Sequence, residues 1–275
     1  MRERTFHFGP GGQLLGTICR PTRGRPGPAG LGLILLNAGI VHRIGPHRFN
    51  VKLARRAASM GIPSLRFDLS GRGDSGPGKP GRNYKELAVE DVREAVAVLS
   101  RDEGPERFML FGICSGAIDG YLAALSEPRI ASLVMFDPYV FPTMRAIARE
   151  CLSKIRKYGI GGGFSRLMEL RHVRHSPEAD ADDGGSELPP IDQYAADLRT
   201  LAERGVNVHL IYSGSSCDNR EYESQRRKLL GGRGLDALIR TELMQDVDHV
   251  ITSLRAQERV LSRFDDWVAA VPAGS

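Results

Sequence analysis

The chain has 275 residues, 41% of them apolar and 26% charged, with a net charge of +5 and an isoelectric point near 9.2. This balance excludes a fibrous or disordered chain, and one α/β domain with a large core can absorb the whole length. Basic residues are scattered among acids, with no Lys/Arg block and no aromatic-interleaved motif, so no nucleic-acid partner is expected.

Along the chain, RTFHF and QLLGTICRP read as two short strands around a GPGG turn. The opening MRERTFHFGPGG has no apolar signal core, so a cytoplasmic location is expected. LGLILLN (31–37) is a continuous apolar run bounded by glycines, the pattern of a strand buried on both faces. Phe49, Leu53, Ala57 and Met60 recur at helical spacing, and Gly61 ends that helix. PSLRFDLS (63–70) is the next strand. The GRGDSGPGKPGR that follows resembles a phosphate cradle but lacks the GxxxxGK[ST] spacing, so no nucleotide or other cofactor is expected there.

An amphipathic helix over 84–100 precedes the strand RFMLFGI (107–113), which runs directly into a helix beginning CSGAIDGYLAALS. RIASLVMFDP (129–138) is another strand. The alternation then breaks. Residues 139–190 hold a glycine cluster, basic stretches and the acidic SPEADADDGGSELPP, and they read as a cap inserted between two core segments, 1–138 and 191–275. From 191 a helix, the strand NVHLIYSG, a helix near 219–231, the strand ALIRTELM and a final helix over 252–269 complete the chain. Strands alternating with helices imply a mostly parallel sheet with helices on both faces. No apolar run approaches the roughly 20 residues that span a bilayer, so no membrane partner is expected.

The four cysteines are Cys19, Cys114, Cys151 and Cys217. None forms a CxxC pair, so neither zinc nor a redox motif is expected, and each cysteine defaults to a small buried hydrophobe. Cys114 is the exception. It lies in GICSGA, at the turn from strand 107–113 into a helix. A small–x–nucleophile–x–small pentapeptide there is a nucleophile elbow, a sharp turn that needs small flanking residues. Centred on Cys114 those residues are Gly112 and Gly116, whereas centred on Ser115 they would be Ile113 and Ala117. Ile113 is too bulky, so the register selects Cys114 as nucleophile and leaves Ser115 to offer its backbone N–H to an oxyanion.

These features resemble the α/β-hydrolase superfamily. In particular they are similar to the serine-aminopeptidase-like hydrolases that include the exosortase-associated hydrolases, with R-x-G-x-H-R and R-F-D-x-x-G-x-G-D-S patterns within 35–75. The superfamily usually carries serine at the nucleophile, and dienelactone hydrolases are a branch with cysteine. Its chain order of nucleophile, acid, histidine implies His249, in MQDVDHVIT after the last strand, as the base. The implied acid is Asp218 after NVHLIY, with Asp137 the alternative because some members carry the acid one strand earlier. Gly39 or Ile40 is the implied second oxyanion donor. Asp68 and Asp74 are expected to brace their turn, and His42, Arg43, His47 and Arg48 to cap the loop or meet an anionic group. The expected activity is hydrolysis of an acyl ester or thioester, free or carrier-bound, through an acyl-thioester on Cys114. Acyl transfer to an amine, alcohol or thiol in a biosynthetic pathway is the alternative, and a non-catalytic binding protein of the same fold is the third reading. Basic residues of the cap are candidates for meeting a carrier phosphate.

Overall fold

A computed structural model describes residues 1–22, 30–78, 81–141 and 188–271. The expected cap at 139–190, with Cys151, therefore lies outside the described residues except for 139–141 and 188–190. Eight strands form one sheet: β1 (Arg2–Phe8), β2 (Leu14–Arg20), β3 (Leu31–Leu35), β4 (Ser64–Phe67), β5 (Arg107–Ile113), β6 (Ile130–Phe136), β7 (Asn207–Ser213) and β8 (Ile239–Met244). Their order is β1-β2-β4-β3-β5-β6-β7-β8. The β1–β2 hairpin joins antiparallel to β4, and every pair from β4 to β8 is parallel.

The described helices are α1 (Phe49–Ser59), α2 (Tyr84–Glu103), α3 (Ser115–Ser126), α4 (Ile191–Glu203), α5 (Asn219–Leu230) and α6 (Leu254–Ala269). Phe49 and Leu53 of α1 and Phe264 and Trp267 of α6 pack on one face of the sheet. Helices α2 to α5 cover the other face through residues such as Val92, Tyr121, Leu198 and Leu229. Both faces are thus dry, which is why β3 and β6 are apolar at nearly every position and buried along their whole length. Helix starts follow side-chain caps: Asn83 accepts from Glu86 N–H at 2.9 Å and Ser253 from Ala256 N–H at 3.0 Å. The second cap places the last helix two residues later than the expected 252. Among the described residues no helix is long and apolar enough to cross a membrane.

After β3 the chain adds β4 on one side, then β5 on the other. The order reverses there, and at such a switch point the loops leaving neighbouring strands diverge and open a crevice at their carboxyl ends. The loop after β3 and the turn after β5 meet in that crevice.

Candidate active site

Cys114 ends β5 and precedes α3 with φ 56 and ψ −123, a left-handed conformation that costs a non-glycine residue about 1 kcal/mol or more. The turn holds because Cys114 N–H donates to Phe136 O at 2.9 Å and Ala117 N–H to Cys114 O at 3.0 Å. A methyl group on Gly112 would collide with the Gly116 carbonyl, and one on Gly116 with the Asn37 carbonyl. The two glycines that selected Cys114 in the sequence are therefore the positions where backbone meets backbone. Gly116→Ala is expected to destabilise the fold by about 3 kcal/mol through overpacking, read as the loss of melting temperature by circular dichroism. A change below about 0.5 kcal/mol would mean that the turn relaxes freely.

His249 lies in the turn after β8, held by its own N–H donating to Ser215 Oγ at 2.7 Å. Asp248 Oδ1 accepts from Val250 and Thr252 N–H at 3.1 and 2.9 Å, and Ile251 takes a left-handed φ of 53. The ring Nδ1 is 2.7 Å from Asp137 Oδ2. The Cys114 thiol lies near enough to the same ring to interact with it. Asp137, 5% exposed, stands just past β6 with φ 48. Its other oxygen accepts from Ser213 N–H at 2.7 Å, and its own N–H donates to Ile211 O at 2.7 Å, so β7 clamps it.

The acid beside His249 is thus Asp137, which corrects the expectation of Asp218. Asp218 instead caps α5, its Oδ1 accepting from Arg220 and Glu221 N–H at 3.0 and 2.9 Å. Aspartate is a preferred helix cap, and the D-x-x-E spacing of Asp218 and Glu221 was the readable sign of it. Cys217 next to it is buried and its thiol is pushed up to about 12, as burial also pushes Cys19 up to about 11.

The electrostatics at Cys114 run the other way. The hydrogen bond from His249 pulls its thiol below the ordinary range, against the opposing push of burial, with the Ser115 N–H helping. His249 rises to about 10, because the Asp137 carboxylate and then the Cys114 sulfur hold its cation against desolvation. Cys114 and His249 thus favour a thiolate–imidazolium pair.

Ser115 and Gly39 meet, with Ile40 next to Gly39. Ser115 N–H points to the Cys114 sulfur. Gly39 N–H donates to Ser115 Oγ at 2.9 Å, so that amide is already engaged. Ile40 is 77% exposed, and its N–H has no partner among the described residues. Asn37 fixes this loop: its Nδ2 donates to Val41 O at 2.8 Å and to Asp68 Oδ1 at 3.0 Å, and its Oδ1 accepts from Leu69 N–H at 2.8 Å.

Asp68 and Asp74 brace the turn, and Arg43 serves them. Arg43 Nη1 lies 2.6 Å from Asp68 Oδ2 and 2.8 Å from Asp74 Oδ2. His42, Asp68 and Asp74 converge closely enough to hold an ion, but this guanidinium fills the cationic position between the carboxylates. His47 and Arg48 are exposed at the start of α1.

One group was invisible in the sequence. Arg72, from the loop set aside as a failed phosphate cradle, donates to the Gly39 carbonyl. Its guanidinium sits 4.4 Å from the centre of the Tyr84 ring. Tyr84 Oη donates to Asp119 Oδ2 at 2.7 Å, and burial pushes the Asp119 carboxyl up to about 6. This line of contacts ties the loop after β3 to α3 behind Cys114.

No family model matches the chain and no curated protein matches it in sequence, so the narrower likeness to the exosortase-associated group rests on its motifs alone. Solved structures do match. An esterase of Pyrococcus furiosus aligns at TM-score 0.62 and 14% identity, over 98% of this chain and 91% of that one. A serine hydrolase without a lid from Xanthomonas campestris aligns at 0.56 and 13%, over 99% and 97%. The α/β hydrolase domain-containing protein 10 of mouse aligns at 0.54 and 12%, over 98% and 100%. At these identities what is shared is the architecture: the chain has the α/β-hydrolase fold.

Proposed function

We propose that the protein is an acyl-transfer enzyme that hydrolyses an ester or thioester, with Cys114 as nucleophile, His249 as acid–base and Asp137 as the group that orients it. The observation that carries this reading is the His249 ring with Nδ1 2.7 Å from the Asp137 carboxylate, beside Cys114 at the sharp turn between β5 and α3. The Cys114 thiolate attacks the acyl carbonyl, and its electron pair forms the S–C bond. Ser115 N–H and Ile40 N–H receive the oxyanion, each such donor being worth about 3 kcal/mol. His249 then gives its Nε2 proton to the departing alkoxide or thiolate, leaving an acyl-thioester on Cys114 and a neutral imidazole. That imidazole takes a proton from water as the water attacks the thioester, the acid is released, and the thiolate–imidazolium pair returns. The side chain of His249 is 40% exposed, which gives water a route to the second step.

Intact-mass spectrometry with a panel of acyl thioesters and aryl esters tests the reading. The expected result is an acyl adduct on the wild-type protein and on Ser115→Ala, absent from Cys114→Ala, with free acid as the turnover product. Acyl groups passed to added amines or thiols in preference to water would make the protein a transferase. No adduct with any member of the panel would leave a binding protein of this fold.

A further inference from the structure

Among the described residues the sheet has two open edges, β1 and β8. Along β1, Glu3 accepts from Arg55 and Arg66 and Arg4 donates to Asp102, while Arg2 makes no ion pair among the described residues. Along β8 a base without a partner and an acid lie on one face. Arg240 is exposed and makes no ion pair among the described residues, while Glu242, two positions on and on the same face, accepts from Arg263. The edge is straight in register against β7, with no bulge and no proline, so it lacks two common devices that stop strands from pairing. A groove of about 790 Å³ runs along it between α5 and α6, with Arg226, Leu230 and Trp267 on its walls and Leu238, 41% exposed, just before the strand.

The sequence of this edge, Ile239-Arg240-Thr241-Glu242-Leu243, is complementary to itself when read antiparallel. A two-fold axis perpendicular to the sheet keeps each side chain on its own face, so it must lie midway between two copies of one residue set directly opposite each other. Centred on Arg240 or on Glu242 it sets like charge against like. Centred on Thr241 it sets Arg240 against Glu242 of the second copy, twice, with Ile239 against Leu243 on the opposite face and Thr241 against Thr241. Directly opposite side chains in antiparallel pairs lie about 5 Å apart at Cβ, close enough for both ion pairs. A C2 interface needs this self-complementarity.

We propose that β8 is the edge through which two copies of this chain pair antiparallel about Thr241, joining their sheets. Arg240 of each copy gains the carboxylate that it lacks in the single chain. The pairing uses residues 239–243 and no step of the proposed reaction, although His249 lies in the turn that follows β8.

Sedimentation equilibrium on the full chain, with circular dichroism to verify folding, tests it. The wild-type protein is expected to dimerise. Arg240→Glu gives an edge with two acids and Glu242→Arg one with two bases, so each variant alone is expected to weaken the dimer by about 100-fold through facing like charges. Mixing the two single variants restores all the opposite pairs across a heterodimer, and the double exchange Arg240→Glu with Glu242→Arg restores them across a homodimer. Both are expected to recover wild-type association. A wild-type chain that is monomeric at all concentrations, single variants that still dimerise, or a folded mixture that fails to associate would each overturn the proposal.

Discussion

Asp137→Asn is expected to lower turnover of an acyl ester by about 10³-fold, while Asp218→Ala leaves it within about twofold and costs about 1 kcal/mol of stability. The two aspartates end neighbouring loops, and they divide the work sharply. Asp137 holds the Nδ1 side of His249 and is itself clamped by Ser213 and Ile211. Asparagine keeps the shape of that carboxylate, but its charge no longer supports the imidazolium, and its amide can steer the ring to the wrong tautomer. In serine triads that exchange costs about 10⁴-fold. A smaller loss is expected here because a thiol ionises more readily than a hydroxyl and depends less on its base. Asp218 caps α5, so its loss frees two backbone N–H groups and should appear in the melting temperature and not in turnover. Steady-state kinetics with thermal melts on both variants decide the matter, and a large loss of turnover in Asp218→Ala with an active Asp137→Asn would reverse the assignment.

Alkylation of Cys114 by iodoacetamide is expected to stay fast well below the ordinary range of a thiol, and His249→Gln is expected to slow it by about 10²-fold near pH 6.5. The sign follows from the partners. A hydrogen bond from the imidazolium favours the thiolate, so the thiol titrates low, and the thiolate with Asp137 favours the imidazolium, so His249 titrates high, at about 10. The reactive pair therefore spans neutral pH, bounded below by protonation of the sulfur and above by loss of the imidazole proton. Without His249 the thiol loses its main stabilising partner while burial still pushes it up, and each unit of rise removes tenfold of thiolate below the new pKa. The rates of the two proteins should converge at high pH, where both sulfurs are ionised. Cys19 and Cys217 react slowly because burial holds them as thiols, and peptide mapping follows Cys114 itself. Parallel pH profiles for wild type and His249→Gln would exclude the ion pair.

Much of the architecture was legible because it rests on local rules. Runs such as LGLILLN and RFMLFGI are apolar throughout since both faces of the sheet are covered, and the helices between them carry a 3.6 period. The elbow was legible for a similar reason, as contact between backbones admits only glycine at 112 and 116. The acid was not. Asp137 and His249 are 112 residues apart, and nothing in FDPYV distinguishes a carboxylate facing a histidine from one that ends a strand. Asp218 drew attention by its place after β7, although its spacing to Glu221 fits a helix start equally well. The choice between Gly39 and Ile40 also needed three dimensions, because it depends on which amide the Ser115 hydroxyl engages. Arg72, Tyr84 and Asp119 had no signature at all, each being an ordinary residue until the loops are brought together.

Among the described residues, five that are not glycine hold positive φ angles: His47, Arg48, Cys114, Asp137 and Ile251. Three of them belong to the candidate site: Cys114 at the elbow, Asp137 beside His249, and Ile251 in the turn that carries His249. Glycine would relieve each conformation. If the proposed reaction is what keeps Cys114 and Asp137 in place, a lineage released from it would erode positions 114 and 137 early while its sheet survived, and glycine there in an intact fold would mark that release.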